Sequence, residues 1–154
     1  MKIALVGATG NIGREIARQA LARGHQVTAI VRRETDRPSE LDGAQLAVAA
    51  LDDTDALAAV IAGHDVLASA FGPRPGDAPS TVTTTSAALV AAARQAGVPR
   101  FIMVGGAGSL EVAPRVQLVD TDGFPDAYKP LALAARETLT QLPPAHALPP
   151  TLDP

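Results

Sequence analysis

Seven residues near the start of the chain, Gly7-Ala8-Thr9-Gly10-Asn11-Ile12-Gly13, have types and spacing that suit one kind of chemistry. Three glycines three positions apart, set between an apolar run and a segment of helical periodicity, form a cradle for a pyrophosphate. Gly7 permits a tight strand-to-helix turn, Gly10 lets backbone approach a phosphate, and Gly13 lets the helix pack close to the strand. The turn that carries Thr9, Asn11 and Ile12 opens a helix whose free N–H groups and partial positive charge attract an anion. In this strand–turn–helix context the pattern predicts dinucleotide binding. Arg32 follows Gly13 by 19 positions, about where an NAD-dependent chain places an acid on the ribose 2′-hydroxyl. A guanidinium there takes a 2′-phosphate bidentately instead, so NADP(H) is expected over NAD(H). Arg33 either shares that role or is a solvated residue at a strand end.

The elements that must position these residues alternate in type. Strands are expected at 2–7, 26–31, 45–51, 65–70 and 100–104, each apolar or β-branched and bounded by turn residues. Between them lie helices capped by Asn11, Asp53 and Ser80 and stopped near Gly24, Gly63 and Gly97, with a last helix from about Pro130 to Leu142. A glycine-containing loop follows the fifth strand. Such alternation means parallel strands joined by right-handed crossovers. The expected fold is doubly wound α/β, Rossmann-like, with about five strands in the order 3-2-1-4-5.

Composition agrees and excludes other classes. The chain has 154 residues, 47% hydrophobic and 19% charged, with a net charge of −3. That suits one folded domain. The absence of cysteine removes disulfides, thiolate zinc sites and cysteine nucleophiles, and fits the cytoplasm. No apolar run is long enough to span a membrane, and an acidic chain with 3% aromatic residues is poorly suited to nucleic acid. His25, His64 and His146 form no metal set and read as turn and tail residues. Asp120, Asp122 and Asp126 read as a solvated acidic loop.

GATGNIG at 7–13, AIVRR at 29–33, SAFGPRPGD at 69–77 and VGGAGSLEVAP at 104–114 together resemble the atypical short-chain dehydrogenase/reductase superfamily. Within it they resemble the NmrA-like, NAD(P)H-binding flavin-reductase-like branch, over residues 1 to about 137. The resemblance implies that Ser69, Ala70, Phe71 and Gly72 run past the cofactor phosphates and ribose, although Gly72 also reads as loop punctuation beside Pro73. It places Ala50 where relatives carry an Asp near the adenine, and leaves Asp53 as a helix cap. Typical members of the superfamily use a Ser and a Tyr-x-x-x-Lys pair. Here the single tyrosine, Tyr128, is followed four positions on by Ala132, so the pair is absent. The remaining catalytic candidates are Ser109, either an orienting hydroxyl or a loop serine without a role, and Tyr128 with its neighbour Lys129, in a segment that either covers the nicotinamide or is a surface loop.

The resemblance implies hydride transfer to a small acceptor such as a flavin or quinone, which needs little acid–base help because the cofactor carries the hard chemistry. Two alternatives stay open: a non-catalytic NADP(H)-binding redox-sensing regulator, and an inactive truncated relative. The latter rests on residues 143–154, where Pro143, Pro144, Pro149, Pro150 and Pro154 forbid a central strand. The expected organisation is a dinucleotide-binding domain over 1–142 and a disordered Pro-rich tail over 143–154. It lacks the sixth strand and substrate portion of relatives, and leaves a sheet edge through which copies can associate.

Overall fold

A computed structural model describes residues 1–33, 39–73 and 76–142. The expected tail at 143–154, with His146, lies outside the described residues. Five strands, β1 (Lys2–Val6), β2 (Gln26–Val31), β3 (Gln45–Val48), β4 (Val66–Ser69) and β5 (Arg100–Met103), form a sheet in the order β3-β2-β1-β4-β5. Every pairing is parallel, with Val6 opposite Ile30 on one side and Ser69 on the other. The doubly wound Rossmann-like architecture expected from the alternation is the one observed.

Both faces of the sheet are covered, which explains why β1 reads as a continuous apolar run rather than an alternating one. Ile3 and Leu5 pack with Ala17 and Ala20 of helix α1 (Asn11–Ala22) and with Leu41. Ala4 and Val6 face the other way. They pack with Leu57 and Ile61 of α2 (Thr54–Ile61) and with Leu89 and Ala92 of α3 (Pro79–Gln95). The alanines of α1 let it lie close to the sheet, and its charged residues occupy the opposite face.

The described residues cluster into two compact units, one of 1–71 with 88–104, the other of 72–87 with 105–142. The first holds the parallel sheet. In the second, a short antiparallel hairpin, β6 (Glu111–Ala113) and β7 (Val116–Gln117), lies between two 3₁₀ turns, Ala107–Ser109 and Leu118–Asp120. Helix α4 (Lys129–Gln141) follows.

The structure revises several sequence expectations. The segment after β5, expected to be a loop, contains the hairpin. It turns through Pro114 and Arg115, and Arg115 has φ 63° where Gly or Asn is usual, so the turn carries no sequence signature. Asn11 does not cap α1: Gly10 is the N-cap residue, without a side-chain cap, and Asn11 Oδ1 instead accepts from Arg14 Nη2 at 3.0 Å. Ser80 lies inside α3, one residue past its start at Pro79, a residue suited to a first helical position. β3 stops at Val48 rather than 51, consistent with the weak strand propensity of its alanines. Asp53 does cap α2, its Oδ1 accepting from the Ala56 N–H at 2.9 Å.

Candidate functional site

The glycine loop is fixed by backbone crowding. Gly7 has φ +76°, and a Cβ there would lie 2.7 Å from the carbonyl oxygen of Ala70. A Cβ on Gly13 would lie 2.0 Å from the carbonyl oxygen of Gly7, inside its van der Waals shell. Only glycine permits the close strand–helix approach at either position. Gly10 differs. Its φ of −81° suits any residue, and a Cβ would meet only Gly7 O, at 3.3 Å. The fold therefore makes a weak demand for glycine at position 10, and the exposed backbone there is open to approach. The Arg14 N–H is the first to bond within the helix, to Gly10 O at 2.9 Å, so the N–H groups of Asn11, Ile12 and Gly13 precede the first helical bond. Thr9, Gly10, Asn11 and Ile12 are all exposed beside this uncapped end. The cradle fits a phosphate group.

Strand register brings the other cofactor candidates of this unit to the same end of the sheet. Since Val6 pairs with Ile30, Gly7 is level with Val31, and Arg32 is one residue further on. Arg32 and Arg33 are exposed. On the other side Gly7 is level with Ala70, whose N–H bonds Val6 O at 2.9 Å. Phe71 is half-buried, and its N–H donates to the Ser69 hydroxyl at 3.3 Å. Ser69 also accepts the Val104 N–H on its carbonyl oxygen at 2.8 Å, so this nearly buried serine sets the course of the chain leaving β4. That role is not legible from its place at a strand end. Gly72 belongs to the second unit. It is exposed, with open space about its Cα.

Ser109, Tyr128 and Lys129 also lie in the second unit. The Ser109 hydroxyl donates to its own turn, to Gly106 O at 3.1 Å. Tyr128 caps the start of α4 and is 66% exposed. Lys129 is the first residue of that helix. Ala132, in place of the lysine of a Tyr-x-x-x-Lys pair, has a packing role. A Cβ on Gly108 would lie 3.0 Å from the Ala132 Cβ, and one on Gly106 would lie 3.3 Å from the Ala135 Cβ. Two of the glycines in the 104–114 segment thus seat the 3₁₀ turn against two alanines of α4, a pairing the sequence pattern did not signal.

Other polar clusters hold structure. Arg136 Nη1 donates to both carboxylate oxygens of Asp120, at 2.9 and 2.8 Å, and to Gln117 Oε1 at 3.1 Å. This ties α4 to the 3₁₀ turn after β7. His64 has two partners not evident in sequence, Ile61 O at 3.0 Å from Nδ1 and the Thr28 hydroxyl at 2.9 Å from Nε2. A carbonyl only accepts, so Nδ1 carries the proton and the ring links β2 to the turn before β4. Among the described residues no three His, Asp or Glu side chains group as metal ligands. No described helix is long and apolar enough to cross a membrane.

A family model described as NAD(P)H-binding matches residues 7–141. The Bacillus subtilis protein YwnB is 38% identical over 144 residues, covering 92% of this chain and 65% of that protein. The crystal structure of a Burkholderia pseudomallei protein, provisionally described as exported, superposes with a TM-score of 0.81 at 52% identity, covering 91% of this chain and 65% of that one. A Streptococcus pneumoniae structure, provisionally named an NADH-flavin reductase, superposes with a TM-score of 0.73 at 34% identity, covering 92% and 65%. The chain therefore spans 65% of the length of each of these relatives. With the glycine cradle at the carboxyl end of a parallel sheet, the match over most of the sequence shows that the chain belongs to the NAD(P)H-binding family, of atypical short-chain dehydrogenase/reductase type.

Proposed function

We propose that the chain binds NADPH in preference to NADH and acts as an NmrA-like, flavin-reductase-like reductase toward a small electron-poor acceptor, a flavin or a quinone. The observation that carries this reading is the cradle of Gly7, Gly10 and Gly13 at an uncapped helix start, with Arg32 one residue past the strand position level with Gly7. The S. pneumoniae relative named for NADH-flavin reductase chemistry supports the acceptor class. When bound, the dihydronicotinamide supplies the hydride. The backbone N–H groups of Asn11, Ile12 and Gly13 hold phosphate oxygens beside Thr9 and Gly10, and Gly7 keeps the turn tight. Arg32, with Arg33, takes the 2′-phosphate. Ala70, Phe71 and Gly72 line the cofactor's path, and Ser109, Tyr128 and Lys129 are acceptor-side groups. Copies of the chain associate through the β5 edge, which pairs with no other described strand beyond β4 and where Ile102 is 44% exposed.

Titration with NADPH and NADH tests the cofactor half of this reading. Tighter NADPH binding, lost in Arg32→Asp, supports it; equal affinities unchanged by that substitution contradict it. Steady NADPH oxidation with flavins, quinones and aldehydes tests the reaction half. Two observations favour a second reading, a cofactor-sensing regulator without turnover: position 132 is a packed alanine, and the Ser109 hydroxyl is bonded to its own turn. Tight NADP⁺ binding with no turnover on any acceptor selects that reading.

A further inference from the structure

We infer that Arg14 and Glu40 form an exchangeable ion pair that sets how tightly the cofactor's 2′-phosphate is held: Glu40 holds Arg14 in the free protein, and the 2′-phosphate takes Glu40's place in the NADPH complex. The inference rests on the NADPH-preferring reading and adds two residues to it. Arg14 directly follows Gly13 in the first turn of α1. Its guanidinium donates through Nη2 to Asn11 Oδ1 at 3.0 Å and through Nη1 to Glu40 Oε1 at 3.4 Å. It thus lies along the open turn that carries Asn11, and it reaches Glu40 in the 3₁₀ turn before β3.

Glu40 is held in place by its backbone. It is the middle residue of the 3₁₀ turn Ser39–Leu41, whose Leu41 is wholly buried in the core beneath α1. The turn is closed by the Asp42 N–H on Ser39 O at 2.9 Å and the Ala44 N–H on Leu41 O at 3.0 Å. Position 40 is therefore kept near Arg14 by its backbone, while its carboxylate, on a side chain 36% exposed, can give way to a ligand. The pair itself is weak: a single contact at 3.4 Å, both side chains 36% exposed. A phosphate monoester carries up to two charges on three acceptor oxygens and binds a guanidinium through two parallel bonds, so it outcompetes this carboxylate. NADH, with a 2′-hydroxyl, offers no such competitor and leaves the pair intact.

The test is isothermal titration of NADPH and NADH into the unmodified chain and into Glu40→Gln, Arg14→Gln and the double variant, with thermal melting to confirm folding. Glu40→Gln is expected to tighten NADPH binding about two- to fivefold, the range of an exposed ion pair, and to leave NADH within about twofold. Arg14→Gln is expected to weaken NADPH about fivefold with NADH little changed. The double variant should match Arg14→Gln, because Glu40 acts only through Arg14. A preference for NADPH that Arg32→Asp removes but Glu40→Gln and Arg14→Gln leave unmoved overturns this inference alone. Equal affinities for the two cofactors in the unmodified chain, unmoved by Arg32→Asp, overturn the preference and the inference with it. Should Arg14→Gln fail to fold, Glu40→Gln decides by itself.

Discussion

Glycines serve opposite purposes in the loop 7–13 and in the segment 105–108. In the first, Gly7 and Gly13 are required by backbone: an added Cβ would lie 2.7 Å from Ala70 O or 2.0 Å from Gly7 O, atoms that cannot yield without moving β1 or β4. In the second, Gly106 and Gly108 face the methyl groups of Ala135 and Ala132 at 3.3 and 3.0 Å, neighbours that can shift. Both segments read as glycine-rich loops after a parallel strand. The first is a rigid cradle with exposed donors, whereas the second is a packing seam whose candidate hydroxyl, on Ser109, is bonded to its own turn. Within the cradle, Gly10 has φ −81° and one close approach, 3.3 Å to Gly7 O, so the backbone asks less of it than of Gly7 and Gly13.

The largest effect should come from breaking the cradle. Gly13→Ala is expected to destabilise the fold by about 3 kcal/mol or more, since the overlap is with backbone. Gly108→Ala should cost about 1 kcal/mol. Denaturant unfolding of the two variants compares them, and equal losses would erase the contrast. Next, Gly10→Ala should change stability by less than about 1 kcal/mol and yet weaken dinucleotide binding about tenfold, equivalent to about 1.4 kcal/mol. Melting and titration of the same sample read both quantities.

A smaller effect is expected in the second unit. Ser109→Ala and Tyr128→Phe should each lower acceptor turnover by less than about tenfold, with cofactor affinity unchanged. A proton-transferring group would contribute about a hundredfold or more, so a loss of that size would make either residue a general acid. The smallest effect concerns Glu15 on the exposed face of α1. Hydrogen bonds from Arg18, at 2.6 and 2.9 Å, and then from Gln19 lower its pKa to about 2, against an ordinary 4.5. A carboxylate with a depressed folded pKa adds stability above its unfolded pKa, and that stability is lost as pH falls toward 2. Glu15→Gln should therefore narrow the difference in melting temperature between pH 6 and pH 2–3 slightly, and added salt should remove the effect.

Much of the first unit was legible in the sequence because strand period, glycine spacing and helix stops all agreed. Parallel pairing follows from alternation, the strand order from the dinucleotide-binding topology that the glycine motif implies, and the places of Gly7, Gly13 and Asp53 from turn and cap chemistry. The hairpin at 111–117 was not legible, because its turn uses Arg115 at φ 63° in place of glycine and its strands are two and three residues long. The roles of Ala132 and Ala135 were equally hidden, since small-residue packing against Gly106 and Gly108 depends on contacts far apart in sequence. Asn11 is not the cap because the helix starts at it and leaves Gly10 at the N-cap position, so the Asn11 side-chain oxygen accepts from Arg14 Nη2 instead. A shift of one residue in a helix start has no periodic signature.

The most direct test of the account is titration of NADPH and NADH into the unmodified chain and into Arg32→Asp. NADPH is expected to bind about tenfold or more tighter than NADH in the unmodified chain, with the order reversed when the acid stands at position 32. Binding of neither cofactor, or equal binding of both that Arg32→Asp leaves unchanged, would contradict it.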